Sequence, residues 1–379
     1  MSKIFEELKD LLTSASEASR KGLLIQLHEL IVSVESPAET ASRIALYPAQ
    51  TAVAKIGQDL KIFETLVENG PKSLEELQTS TNAHPVTLGR LLRYMASVGL
   101  VRETGPQRFE ANKKCQNLAT PEAVTILTHF FLNCSPLFQE MPAFLGAHNY
   151  QDVTDGNSTV FQKAYRTDMD TYQWFSQHPE HKMALIRFMG MEQAIRGRWL
   201  REYPFESETK SWNPEAPVFV DIGGNVGHYC ALFKSLPSVP GRVILQDLPA
   251  TIAQALPTPG VETVGHDFFK LQPVQGSKYY HLGWVLHNWN DERSAEILRQ
   301  IKPAMTEESV ILINDMVLPE FKVPAFAATL DLVMLGACGS RERTMKEWEH
   351  LLGGVGLLLK ECIMYDPDQC HGIICATLK

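Results

Sequence analysis

The sequence predicts a two-part chain, a mostly helical amino-terminal half joined to an α/β half built on a doubly wound, mostly parallel sheet. Three observations carry this reading. Helical periodicity runs almost unbroken to about residue 200, whereas from about residue 218 short β-rich runs alternate with helical stretches. The apolar run Val218-Phe-Val-Asp-Ile-Gly-Gly-Asn-Val-Gly-His228 ends in an acid and a glycine turn, as a buried strand does when it delivers a loop into a helix. The last two β-rich runs are joined by Asp366-Pro-Asp-Gln-Cys-His-Gly372, too brief for a parallel crossover, so they should pair antiparallel.

A chain of 379 residues has room for two domains, each with its own core. We expect them at 1–205 and 206–379, close to the proline-bearing segment Trp212-Asn-Pro-Glu-Ala-Pro217. In the first half, Leu60–Leu66, Ser73–Leu77 and Pro85–Leu100 read as three short helices, and Val101–Glu110 reads as a hairpin after them. Together they make a winged helix-turn-helix, with Ser73 and Glu76 forming a capping box at the start of the middle helix. Its third helix carries only Arg90 and Arg93 as bases, in a chain of formal net charge -9. That balance argues against DNA binding and favours a packing and dimerisation module.

In the second half, strands are expected over residues 218–222, 243–247, 261–265, 279–286, 310–316, 357–365 and 372–378. A seven-stranded sheet with the last strand reversed resembles the Rossmann-like class I methyltransferase fold. Charged residues make up 21% of the chain and hydrophobic ones 44%, which suits a globular protein and offers no basic surface for nucleic acid or anionic membrane. Met1–Lys9 reads as an amphipathic charged helix without the apolar centre of a signal peptide, and no run reaches spanning length, so a cytoplasmic location is expected. The seven cysteines are scattered and form no C-x-x-C pair, as expected of reduced core residues, and no metal cluster is evident.

The candidate chemistry gathers at predicted strand ends. Asp221 leads into Gly223, Gly224 and Gly227, with Asn225 where a dinucleotide loop would have its middle glycine. Asn tolerates left-handed backbone, so the turn survives. Asp247, followed by Leu248, lies twenty residues beyond Gly227, where an open α/β sheet places a carboxylate for ribose hydroxyls. The competing reading, a tight turn without a ligand, is weakened by that carboxylate. His287 follows the fourth strand, Asp315 ends the fifth, and Glu342 stands before the final strand pair. Ligands of doubly wound sheets bind beyond the carboxyl ends of the strands, so an imidazole and two carboxylates could meet in one crevice.

With the winged-helix pattern, the glycine loop, Asp-Leu-Pro after the second strand, Gly265-His-Asp-Phe268, Leu-His-x-Trp-x-Asp and Gly339-Ser-Arg-Glu-Arg-Thr344 in view, the chain resembles a known family. It is similar over nearly its whole length to the plant and fungal small-molecule O-methyltransferases of the caffeate and flavonoid type, especially the fungal secondary-metabolism branch. The resemblance implies S-adenosyl-L-methionine as cofactor. Asp221, Gly223, Gly224 and Gly227 would hold its methionine portion, Asp247 and Leu248 the ribose side, and Asp267 with Phe268 the adenine. It implies His287 as general base, Asp315 (often Glu in the family) and Glu342 as its orienting partners, and a homodimer formed through the amino-terminal domain. Asn288, where Asp is common, is a departure beside the base. An acceptor pocket for a flat aromatic or polyketide would draw on Phe130, Phe131, Phe188, Met189, Met191, Trp284 and Met334, residue types that equally suit an ordinary core.

Two other readings are carried forward. Some fungal relatives keep the cofactor as a bound cation and catalyse dehydration or pericyclic rearrangement; His287, Asp315 and Glu342 together favour methyl transfer. A winged-helix regulator that senses a metabolite is disfavoured by the acidic balance.

Overall fold

The computed structural model describes residues 7–8, 10–12, 14–236 and 239–379. The expected helix at Met1–Lys9 lies mostly outside them. The chain forms two compact units, Met1–Leu127 and Thr128–Lys379.

In the first unit two long helices, Glu17–Val34 and Pro37–Asp59, precede the expected winged-helix pattern. Ser36 and Glu39 exchange side-chain and backbone hydrogen bonds at the start of the second, a capping box that satisfies two amide groups there. The winged module consists of helices Ile62–Asn69, Leu74–Thr81 and Pro85–Ser97. Strand β1 (Lys72–Ser73) pairs antiparallel with β3 (Arg108–Glu110), which pairs antiparallel with β2 (Arg102–Gly105). The Ser73–Glu76 capping box forms as expected. Ile62, Phe63, Leu77, Leu88, Leu92 and Phe109 close its core. Among the described residues no helix is long and apolar enough to cross a membrane.

The second unit is built on β4 (Pro217–Ile222), β5 (Arg242–Asp247), β6 (Val261–Gly265), β7 (Tyr279–Gly283), β8 (Val310–Leu318), β9 (Arg343–Thr344), β10 (Leu357–Asp366) and β11 (His371–Leu378). Seven strands lie in the order β10-β11-β8-β7-β4-β5-β6, with the two-residue β9 pairing beside the end of β8. β4 to β8 pair parallel, and β11 runs antiparallel to both its neighbours, which is the reversed last strand. Every residue of β8 is buried, as a strand covered on both faces requires. Ile311 and Ile313 pack into one apolar cluster while Val310 and Leu312 pack into the other, following the two-residue period of a strand.

Two expectations differ from the structure. Residues 128–205, grouped by periodicity with the first half, cluster with the sheet: Trp199, Tyr203 and Phe205 share a core with Val218 and Phe219, and Phe161 with Val333. Helical period reports local conformation, not which core a helix covers. The strand expected over 279–286 stops at Gly283, because Trp284 turns into the left-handed region (φ 57°) and Leu286–Asn288 form a 3₁₀ turn. An apolar run alone does not reveal that turn. A bulky residue at positive φ is costly. Here the Trp284 N–H donates to the Asn314 carbonyl (2.9 Å), and the Asn288 amide donates to the Trp284 carbonyl (3.0 Å).

Candidate active site

The glycine loop leaves β4 with Gly223 (φ 69°), Asn225 (φ 54°) and Gly227 (φ 95°) all left-handed. Asn225 therefore adopts the conformation expected of it. At Gly224 space decides the residue, since a Cβ there would lie 2.4 Å from an Asp221 carboxylate oxygen and 2.6 Å from Leu245 Cδ1. Asp221 is wholly buried beneath the loop. Its Oδ1 pairs with His281 Nδ1 at 2.7 Å, and its Oδ2 accepts from the Cys230 thiol at 3.7 Å. Its side chain thus supports the loop from below.

Asp247, at the carboxyl end of β5, is half-buried. Its Oδ2 accepts the Asn225 N–H at 2.9 Å and its Oδ1 accepts the Leu248 N–H at 2.8 Å. Each oxygen retains a second lone pair for a hydroxyl donor. Leu248 is exposed and Phe268 half-buried, and a Cβ on Gly223 would come within 3.4 Å of the Phe268 ring. Asp267 turns the chain by accepting the Phe269 N–H at 3.0 Å. A carboxylate, an open glycine backbone and an aromatic face thus lie at three neighbouring strand ends, a donor set that fits a nucleoside joined to an amino-acid tail.

His287 sits in the 3₁₀ turn after β7. Its N–H donates to Asp315 Oδ2 at 3.1 Å and its Nδ1 lies 3.0 Å from Glu342 Oε1 and 3.9 Å from Asp315 Oδ1. With Nδ1–H turned to Glu342, Nε2 is the nitrogen able to take up a proton. Both carboxylates are buried, and Glu342 Oε2 has no hydrogen-bond partner among the described residues. Among the described residues the side-chain hydrogen bond of Glu342 is therefore the one to the imidazole. Burial pushes the Asp315 carboxyl up to about 6, with the charge of His287 opposing and that of Glu342 reinforcing the shift. Asp331 accepts the Glu342 N–H at 2.8 Å. The three catalytic candidates bring ligand atoms within 4.8 Å of one another, a spacing that a cation could also use. The expectation of no metal cluster did not foresee that closeness.

The acceptor wall assembles in part. Phe130 and Phe188 meet edge to face at 5.8 Å, and Phe130 packs against both the cluster containing Trp284 and the one that Met334 joins. The Trp284 ring stands perpendicular to His287 at 5.1 Å. Phe131, Met189 and Met191 are half-buried, and those two clusters do not include them.

Sequence reasoning missed several polar residues here. His129 is buried, stacked on Phe188 at 4.6 Å, and pushed down to about 4 by burial. Asn133, within a π-helical turn over Phe130–Cys134, donates to His129 Nδ1 and accepts from His181 Nδ1. Ser340 and Arg343 contact the His287 turn. Single buried histidines carry no spacing signal, whereas Ser340 and Arg343 stand in the Gly339–Thr344 motif and could have been singled out.

Comparison with known proteins identifies the family of the chain. Residues 148–358 match the O-methyltransferase domain family and residues 44–121 the O-methyltransferase dimerisation domain family. The chain is 38% identical to demethylsterigmatocystin 6-O-methyltransferase of Aspergillus parasiticus, over 97% of this chain and 95% of that one. It is 39% identical to O-methyltransferase lepI of Aspergillus flavus, with 94% of each covered. A solved structure of LepI in complex with S-adenosyl-L-methionine superposes with a TM-score of 0.84 at 35% identity, covering 100% of this chain and 98% of that one. A structure described as a pericyclic reaction enzyme superposes equally well, with TM-score 0.84, 35% identity and 100% and 99% coverage.

Proposed function

The chain belongs to the O-methyltransferase family, and from that premise we propose that it methylates a hydroxyl of an aromatic or polyketide-type secondary metabolite, with His287 as general base. The observation that carries the proposal is the 3.0 Å contact between His287 Nδ1 and buried Glu342, braced by Asp315 on the backbone of the same histidine. S-adenosyl-L-methionine is the cofactor, and when bound it supplies an electrophilic sulfonium methyl.

A phenol with a pKa of about 10 is mostly neutral at pH 7 and a weak nucleophile. Nε2 of His287 takes its proton as attack proceeds, and the Glu342 carboxylate stabilises the imidazolium and fixes its tautomer. Base catalysis of this kind provides roughly 10²- to 10⁴-fold, so alignment provides much of the remainder. Asp247 and Leu248 would hold the ribose side of the cofactor, Asp267 and Phe268 the adenine, and the Gly223–Gly227 loop, supported by Asp221, the amino-acid tail. Phe130, Phe188, Trp284 and Met334 would bound the acceptor, with Phe131, Met189 and Met191 farther along the same elements.

Mass spectrometry of the purified protein incubated with methyl-labelled S-adenosyl-L-methionine and a panel of phenolic and polyketide acceptors tests this. Labelled product with stoichiometric S-adenosyl-L-homocysteine supports it; bound but unconsumed cofactor across the panel opposes it. The likeness to a pericyclic reaction enzyme favours a second reading, rearrangement or dehydration with the cofactor retained, and the same panel detects that as product formed without consumption of cofactor.

We also propose a homodimer. The dimerisation match covers residues 44–121, and Leu30, Ile31, Val34, Ile44 and Leu46 on the two first helices are exposed. Light scattering at the mass of two 42.5 kDa chains would support it.

A further inference from the structure

Two motifs that the catalytic reading uses only in part, Leu286–Asp291 and Gly339–Thr344, are fastened to each other by one buried cation. We propose that Arg343 is a positioning residue for the reaction: it holds the turn that carries His287 in register with Glu342, its own neighbour in the chain. This rests on the reading of His287 as the base.

Arg343 is 0% exposed. Its Nη1 donates to the Leu286 carbonyl at 3.1 Å, and its Nη2 donates to the Trp289 carbonyl at 2.8 Å and to Ser294 Oγ at 3.1 Å. Its Nε donates to Asp291 Oδ1 at 2.8 Å, and the guanidinium carbon lies 5.0 Å from the centroid of the Trp348 ring. A charge buried so deeply is tolerated only when paired and hydrogen-bonded. Asp291 is the pairing group. Burial pushes its carboxyl up, but the Arg343 and Arg341 guanidiniums outweigh that and hold it below the usual range.

The geometry calls for arginine. The two carbonyls it grips belong to residues 286 and 289, on either side of His287, and a planar fork reaches both, whereas an ammonium is a point donor. Ser340 adds a third grip, its hydroxyl donating to the His287 carbonyl at 2.7 Å. Arg343 itself is registered to the sheet, pairing in β9 with Val317 of β8, two residues beyond Asp315. The backbone around the base and the carboxylate on its ring are thus anchored to the same four residues, 340 to 343. The backbone that carries the imidazole cannot shift relative to Glu342 without breaking several of these bonds together, and such a shift is costly because a misplacement of about 1 Å can lower a rate by roughly 10²-fold.

The test compares Arg343→Lys, Glu342→Gln and the double variant with wild type. Turnover is measured on an acceptor found by the labelled-cofactor panel. The His287 ring is titrated by NMR in the complex with S-adenosyl-L-homocysteine, its signal identified with His287→Gln. The charged groups facing that ring are Glu342 and Asp315, with Arg343 behind Glu342 in the chain. Arg343→Lys is expected to lower kcat by roughly 10- to 100-fold with KM changed by less than about threefold. Its His287 titration is expected to move to lower pH, as in Glu342→Gln, with no further movement in the double variant. Should Arg343→Lys not fold, Ser294→Ala removes one partner of the guanidinium and is expected to show a smaller change in the same direction. A lower melting temperature with kcat and titration at wild-type values would overturn the proposal and leave Arg343 a purely structural residue. Wild-type turnover in His287→Gln would instead remove the base reading, while the titration would still report whether Arg343 places the ring.

Discussion

The backbone N–H of Asn225 and the carboxylate of Asp247 meet across the ends of two adjacent strands at 2.9 Å, so the glycine loop and the ribose candidate form one structure. Asp247→Ala removes both the acceptor for the loop and the partner proposed for two hydroxyls. Cofactor affinity, measured by calorimetry with S-adenosyl-L-homocysteine, is expected to weaken by about 1–3 kcal/mol. An unchanged Kd would place the ribose elsewhere.

Gly224→Ala introduces a carbon where none fits, 2.4 Å from Asp221 and 2.6 Å from Leu245. The substitution is expected to destabilise the protein by about 1–3 kcal/mol, as overpacking does, and to weaken cofactor binding through displacement of the loop. Urea unfolding and the same calorimetric titration check both. A neutral outcome would show that the Asp221–His281 pair can give way.

His287→Gln is expected to lower turnover by roughly 10²-fold or more with cofactor affinity near wild type. A uniform loss of affinity and rate would point to a binding role. Because His287 Nδ1 is bonded to Glu342, a chelator is expected to leave the rate unchanged, measured with and without EDTA.

Asp315→Asn separates stability from rate. The carboxyl of Asp315 lies above its ordinary 3.8 when folded, so the folded state holds that proton more tightly and its ionisation weakens the fold as pH rises from about 4 to about 6. The full penalty, at most about 3 kcal/mol for a shift of this size, stands above that range and vanishes below it. Thermal melts are expected to show Asp315→Asn more stable than wild type at pH 7.5 and equal to it at pH 4, with turnover reduced at both. A destabilised variant at pH 7.5 would mean that the ionised form is the better partner of His287.

The pattern of apolar runs and glycine turns made the sheet legible almost strand by strand, and the reversal of β11 followed from the shortness of the loop before it. What periodicity could not show was allegiance: residues 128–205 are helical like the first unit, yet shared apolar clusters, such as the one that holds both Phe161 and Val333, join them to the second. The meeting of His287, Asp315 and Glu342 was readable because His287 follows β7 and Glu342 precedes β9, although Asp315, expected at the end of its strand, lies within β8 three residues before Leu318 closes it. The polar partners of buried groups were not. Asn133 between His129 and His181, and His281 beneath the glycine loop, depend on contacts between residues distant in the chain, and no local spacing encodes them. Asn288 was flagged as a departure, and its amide donates to the Trp284 carbonyl, a bond that an ionised Asp could not make.

Val34, 75% exposed, and Leu30, 60% exposed, turn apolar surface outward on the first of the two long helices. In the homodimer proposed above a second chain would cover such surface, and part of the resistance to unfolding would then belong to the solution and not to any one chain. The melting temperature would be a property of the sample. It should climb with protein concentration, and an assay run at nanomolar enzyme would sample a less durable molecule than a melt recorded at micromolar.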